Sequence, residues 1–104
     1  MSRRRSLSYG AAAILHAVGS GHCFGFDIID TTGLTSGTVY PTLERLEEAG
    51  LLRSRWENAD DAHRDGRPAR RYFTLTARGR EALNAALEKY KALRPIPSVS
   101  RGDA

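Results

Sequence analysis

Residues 34–52 constrain the fold more than any other stretch of this chain. Val39, Leu43, Leu46 and Gly50 recur at helical spacing, which gathers one apolar stripe and leaves Ser36, Thr38, Tyr40, Thr42 and Arg45 outside it. The spacing predicts an amphipathic helix over 35–49, with Thr35 as N-cap and Gly50 as a left-handed stop. Pro41 falls near the first turn, where the loss of a backbone hydrogen bond costs least. A helix that begins with small hydroxyl residues, a glycine and a tyrosine suits close approach to another surface. Duplex DNA is one such surface, since recognition helices meet base edges with their N-terminal residues; an ordinary solvated helix face is the other reading.

After Gly50 the period changes. Leu52, Ser54 and Trp56 alternate with Arg53, Arg55 and Glu57, and Arg70 to Thr76 repeats the alternation, so two strands are predicted. The polar stretch 58–69 between them carries an Asp65-Gly66 turn element and predicts a hairpin with a long tip. Arg64 and Arg67 lie in that loop, with Arg70 and Arg71 at its base. Such a cluster suits a phosphate backbone or a minor groove, although Asp60, Asp61 and Asp65 also fit a merely solvated hairpin. A hairpin directly after a helix-turn-helix is more informative than either part.

The helix-turn-helix is completed upstream. A first helix is expected over 7–18, with Leu7, Ala11, Ile14, Leu15 and Val18 on one face. Gly19-Ser20-Gly21 breaks it, and a short helix over 24–30 follows, with Phe26, Ile28 and Ile29 as expected core. Downstream, Thr76 is an N-cap candidate and Gly79 an early weak point of a last helix. Leu83, Ala86, Tyr90 and Leu93, widened by Leu87, form a seam that needs a cover. It can fold back on the first helix; pairing with its twin in a second subunit buries more, so a homodimer is expected. The fold class is therefore mainly α with a small β-hairpin. A basic arm 1–6 and a tail 95–104 flank a winged helix-turn-helix 7–76 and a dimerisation helix 77–94.

The 104 residues and a formal charge of +4 fit one small domain with an anionic partner. Cys23 is the sole cysteine, which excludes a disulfide framework and points to an inert thiol in a reducing, cytoplasmic setting. No apolar run is long enough to span a bilayer. His22 and Cys23 are adjacent, a poor geometry for a shared metal, and no nucleophile stands beside a base at helical or strand spacing. Neither an enzyme nor a metal or cofactor is expected.

Three segments, Gly25-Phe26-Asp27-Ile28, Thr38 to Glu47 and Gly66 to Thr76, resemble in order and separation the PadR family of bacterial winged-helix transcriptional regulators. The likeness covers about residues 7–93. It implies a homodimeric repressor with the central helix in the major groove, the hairpin wing alongside the duplex, and dimerisation through the last helix assisted by the first. Position by position, the recognition tyrosine and proline fall on Tyr40 and Pro41 and the wing glycine on Gly66, while Ser36 stands where many members carry proline. A single C-terminal helix looks like the short subfamily, without the effector domain of phenolic-acid sensors. Some short members are similar to multidrug sensors that hold flat hydrophobic compounds between aromatics at the dimer interface. Here Trp56 is expected to pack the hairpin against the domain instead.

The expected partner is a pseudo-palindromic DNA operator. Thr38, Tyr40 and Thr42 make near-groove contacts, Ser36 and Gly37 turn backbone amides to phosphate, and Arg64, Arg67 and Arg70 anchor the wing. The alternative is a winged helix that serves protein interaction without DNA affinity, recognisable by little salt dependence.

Overall fold

The computed structural model describes residues 7–91; the expectations for the arm 1–6, for Leu93 and for the tail 95–104 lie outside the described residues. Helix α1 (Tyr9–Gly19) starts where the Ser8 hydroxyl accepts a hydrogen bond from the Ala11 amide at 3.1 Å. Ala12, Ile14, Leu15 and Ala17 are fully buried, so α1 is the central rod of the domain. Helix α2 (Gly25–Thr32) follows, and the chain then reverses through Gly33 at φ +75°, a left-handed conformation that glycine adopts without a Cβ penalty. Helix α3 (Ser36–Glu48) presses Val39, Leu43 and Leu46 onto α1 and α2. Thr35 occupies the N-cap position without a side-chain cap, since its hydroxyl donates to Thr38 Oγ1 at 3.1 Å instead.

Strands β1 (Leu52–Trp56) and β2 (Arg71–Leu75) form an antiparallel hairpin that pairs Leu52 with Leu75 and Trp56 with Arg71. An isolated bridge between Phe24 and Tyr72 ties the hairpin to the entry of α2. Between the strands lies helix α4 (Ala59–Arg64), which the sequence reading treats as loop. Asn58 caps it by accepting from the Asp60 and Asp61 amides, and acidic residues in the first turn complement its dipole. Helix α5 (Ala77–Lys89) begins at Thr76, whose hydroxyl accepts from the Gly79 amide at 3.0 Å and donates to the Gly50 carbonyl at 2.6 Å. Gly79 is a requirement of the fold and not a weak point: a Cβ there would sit 2.0 Å from the Leu51 carbonyl oxygen.

Several expected placements change. Phe26 is 75 % exposed, because it stands about 200° around the helix from Ile28, the residue α2 buries. Trp56 is 66 % exposed, since four residues along a strand carry it about 13 Å from the buried Leu52 toward the hairpin's far end. Thr42 is 6 % exposed: with Val39, Leu43 and Leu46 it completes the i, i+3, i+4, i+7 pattern of the buried stripe. Leu83 and Ala86, expected to await a second subunit, are buried against α1 of their own chain. Leu87 is half-buried beside them. Tyr90 donates to the Leu7 carbonyl at 2.7 Å and meets Tyr9 edge-on at 5.3 Å between centroids.

Candidate nucleic-acid interface

The exposed end of α3 is a contiguous polar surface made by Ser36, Gly37, Thr38, Tyr40 and Pro41. The first intrahelical bonds run from Thr38 and Val39 to the Thr35 carbonyl, which leaves the earlier amides of the turn for an outside acceptor. Pro41 removes the donor that would reach the Gly37 carbonyl, so the solvent side of this turn keeps an acceptor as well. Donors, an acceptor, two hydroxyls and a phenol therefore converge at one helix end. Thr42, buried and accepting from Arg45 at 3.2 Å, is withdrawn from that surface.

Tyr40 owes its position to Gly25. A Cβ on Gly25 would lie 2.3 Å from the Tyr40 hydroxyl oxygen, so the ring rests directly on the first turn of α2. It is 45 % exposed and forms one wall of a groove of about 510 Å³ between α2, α3 and the hairpin.

The hairpin is locked to α3 by one guanidinium. Arg71 on β2 donates to Glu44 at 2.6 Å and to Glu47, both on α3, and its Nε reaches Ser54 at 3.1 Å. Ser54 in turn donates to Glu47 at 2.7 Å. The hydrogen bond to Glu44 raises the Arg71 pKa above its ordinary value against the opposing effect of burial. Pairs this exposed contribute little stability, but a fork gripping two helix carboxylates fixes the angle between wing and helix. It also offsets part of the negative charge that Glu44 and Glu47 place on α3, which would otherwise repel phosphate more strongly.

A second fork organises the wing tip. Arg67 donates to both carboxylate oxygens of Glu57, at 2.6 and 2.7 Å, and the Arg70 amide donates to the same carboxylate at 3.1 Å. The hydrogen bond from Arg67 holds the Glu57 pKa down at about 2, outweighing desolvation, and Arg67 is raised in return. Arg67 thus shapes the wing through its pairing with Glu57. Arg64 is highly exposed beside Asp61, and Gly66 turns the tip at φ +71°. The Arg70 guanidinium lies 4.2 Å over the Phe24 ring.

By sequence alone Arg71 falls in a cluster that suits either phosphate or solvent, and nothing local assigns a role to Glu44, Glu47, Glu57 or Gly25. The only available signal was charge complementarity between the polar face of one helix and a later strand. Among the described residues, no group of His, Cys, Asp and Glu is arranged to hold a metal, and no helix is long and apolar enough to cross a membrane.

Three helices, a two-stranded wing and a polar helix end presented beside it define the winged-helix class. The family model described as the transcriptional regulator PadR-like family matches residues 14–85. The chain belongs to the PadR-like family of transcriptional regulators; it is a DNA-binding regulator and not an enzyme. Among solved structures it is similar to a PadR family transcription regulator from Clostridium difficile R20291, with a TM-score of 0.70 and 23 % identity over 82 % of this chain and 90 % of that one. A PadR-like transcription factor from Bacteroides fragilis aligns with a TM-score of 0.65 and 26 % identity, covering 80 % and 81 % of the two chains. Bordetella bronchiseptica BpsR, described with a mechanism for regulation of its DNA binding by 6-hydroxynicotinic acid, shares the fold. Its TM-score is 0.69 and its identity 20 %, over 88 % of this chain and 65 % of that one. No curated protein matches the chain.

Proposed function

We propose that the protein is a homodimeric repressor that sets the Ser36 end of α3 in the major groove of a pseudo-palindromic operator. The observation that carries this is the exposed cluster of Ser36, Gly37, Thr38, Tyr40 and Pro41 on the recognition helix of a PadR-like regulator. Thr38 and Tyr40 read base edges, the free amides at Ser36 and Gly37 meet phosphate, and Arg64 with Arg70 flank the duplex from the wing. Gly66 lets the tip turn close to the backbone.

Because Leu83 and Ala86 are committed within the subunit, the partner is assigned to a neighbouring face. A groove between α5 and α3 remains open, lined by Leu7, Leu51, Ala82 and Ala85 and rimmed by Arg45, Arg78, Glu81 and Lys89, and offers a twin a mixed apolar and charged surface. A flat effector held between subunits, as the family resemblance implies, finds little there: Tyr90 is the one aromatic at the end of α5, and it is engaged by Tyr9 and Leu7.

Footprinting the purified protein on the DNA upstream of its own gene tests the proposal. The expected result is a protected pseudo-palindrome with half-sites about 34 Å or a multiple apart. No protection, or protection lost only weakly as salt rises, favours a module that binds protein instead.

A further inference from the structure

Phe26 is the most exposed large apolar side chain among the described residues, and it stands in the first turn of α2 next to Gly25. Gly25 is the residue on which Tyr40 rests, so Phe26 and Tyr40 are neighbours along one groove. Apolar rings left together in water mark an interaction surface. This one is continuous with the exposed end of α3, which makes DNA the partner to consider first.

The charges near the ring decide which part of the duplex it meets. Asp27 is held by His22 at 3.0 Å, but Asp30 is exposed one turn further along the same face of α2. A carboxylate there disfavours a strand of phosphates beside Phe26, whereas an uncharged base edge carries no such penalty. The chemistry missing from α3 decides which edge. Its exposed end offers the hydroxyls of Ser36, Thr38 and Tyr40, the helix contains no Asn or Gln, and its one arginine, Arg45, lies toward α5 and Thr42. The side chains that grip guanine or adenine bidentately are thus missing from this end. Hydroxyls rotate to donate or to accept, which leaves thymine O4 and cytosine N4 hard to separate. The C5-methyl of thymine is the apolar mark that separates them in the major groove, and an apolar ring can read it.

We infer that Phe26 is a specificity-determining residue, packing on the C5-methyl of one thymine in each half-site beside the base pair that Tyr40 reaches. The inference rests on the reading that the Ser36 end of α3 enters the major groove. Helix α2 then takes part in reading sequence as well as supporting α3. One ring per subunit gives one methyl per half-site, the two related by the dimer axis.

Deoxyuridine differs from thymidine by that methyl alone and pairs in the same way. Each thymine of the footprinted half-site, together with its symmetry mate, is replaced by deoxyuridine in a synthetic duplex. Fluorescence anisotropy on the full chain reads Kd at one salt concentration, low enough to keep every complex in range. Burial of one methyl corresponds to about a fourfold change, so one symmetric pair of replacements is expected to raise Kd about fifteenfold while the others change it little. Phe26→Ala is expected to bind the thymine operator about as weakly as the unaltered chain binds the deoxyuridine one, and to gain nothing from the methyl. Phe26→Leu keeps an apolar contact and is expected to retain most of the methyl dependence. Far-UV circular dichroism checks that both variants fold, as the exposure of Phe26 leads one to expect. No methyl dependence at any thymine, or a dependence that Phe26→Ala leaves intact, overturns the assignment of Phe26 while DNA binding stands. A chain that protects no site on DNA overturns the major-groove reading and this assignment with it.

Discussion

Replacing Gly25 with alanine should disable the recognition surface without disturbing the fold. The new methyl would stand 2.3 Å from the Tyr40 hydroxyl oxygen and 2.6 to 2.7 Å from two ring carbons. Ordinary contact begins near 3.4 Å, so the ring must retreat by about 1 Å. The retreat is easy because Tyr40 is 45 % exposed and can swing outward. A hydrogen bond at about 2.9 Å lengthened by that much lies beyond the accepted limit. The loss is about 1 kcal/mol per subunit, hence about 2 kcal/mol for a dimer, or roughly a 30-fold rise in operator Kd. Gly25 opens α2, outside the helix interior where alanine is favoured, and the new methyl meets the far end of a flexible side chain, so the melting temperature should hold. Fluorescence anisotropy on an operator duplex, paired with thermal unfolding, reads both quantities. An unchanged Kd in the folded variant would refute the link from Gly25 to Tyr40 to DNA, and a collapse in melting temperature would show that the ring is structural core.

Further outcomes follow from the same geometry. Gly79→Ala forces a Cβ against the Leu51 carbonyl, a backbone atom that cannot step aside, and should cost about 2 kcal/mol or more by denaturant unfolding. Thr42→Val should leave operator affinity within twofold, because the buried hydroxyl faces Arg45 and not the groove. Arg64→Ala should lower the slope of log Kd against log salt by about 1 if the exposed guanidinium neutralises one phosphate per subunit, measured per half-site. The Glu57 carboxyl is depressed in the fold from 4.5 to about 2, so its pairing with Arg67 stabilises above pH 4.5 and is lost as pH falls toward 2. Acid unfolding of Glu57→Gln should accordingly show a shallower pH dependence across that window.

The architecture was legible because periods of 3.6 and 2 alternate cleanly along the chain and the breaks are marked. Gly33 and Gly50 take the positive φ that those stops require, and Thr76 caps α5 as its position predicts. Short elements were harder to place. Helix α4 is too brief to show a period and announces itself only through Asn58 and the acidic pair after it. Thr42 misleads because its chemistry is polar while its phase belongs to the buried stripe. Phe26 and Trp56 mislead in the opposite sense: each is apolar by type, yet helix phase and strand length carry them out of the core. The Arg71 and Arg67 forks join residues 24 or more and 10 positions apart, and no local pattern distinguishes a guanidinium bound to carboxylates from one awaiting phosphate.

The account turns on Tyr40 reading sequence at the exposed end of α3. Operator and scrambled-duplex affinities of Tyr40→Ala, measured side by side at one salt concentration, test it most directly. The account predicts that operator affinity falls by roughly tenfold or more while affinity for the scrambled duplex is unchanged, because phosphate contacts carry the latter. Equal losses on both duplexes, or no loss on either, would contradict it.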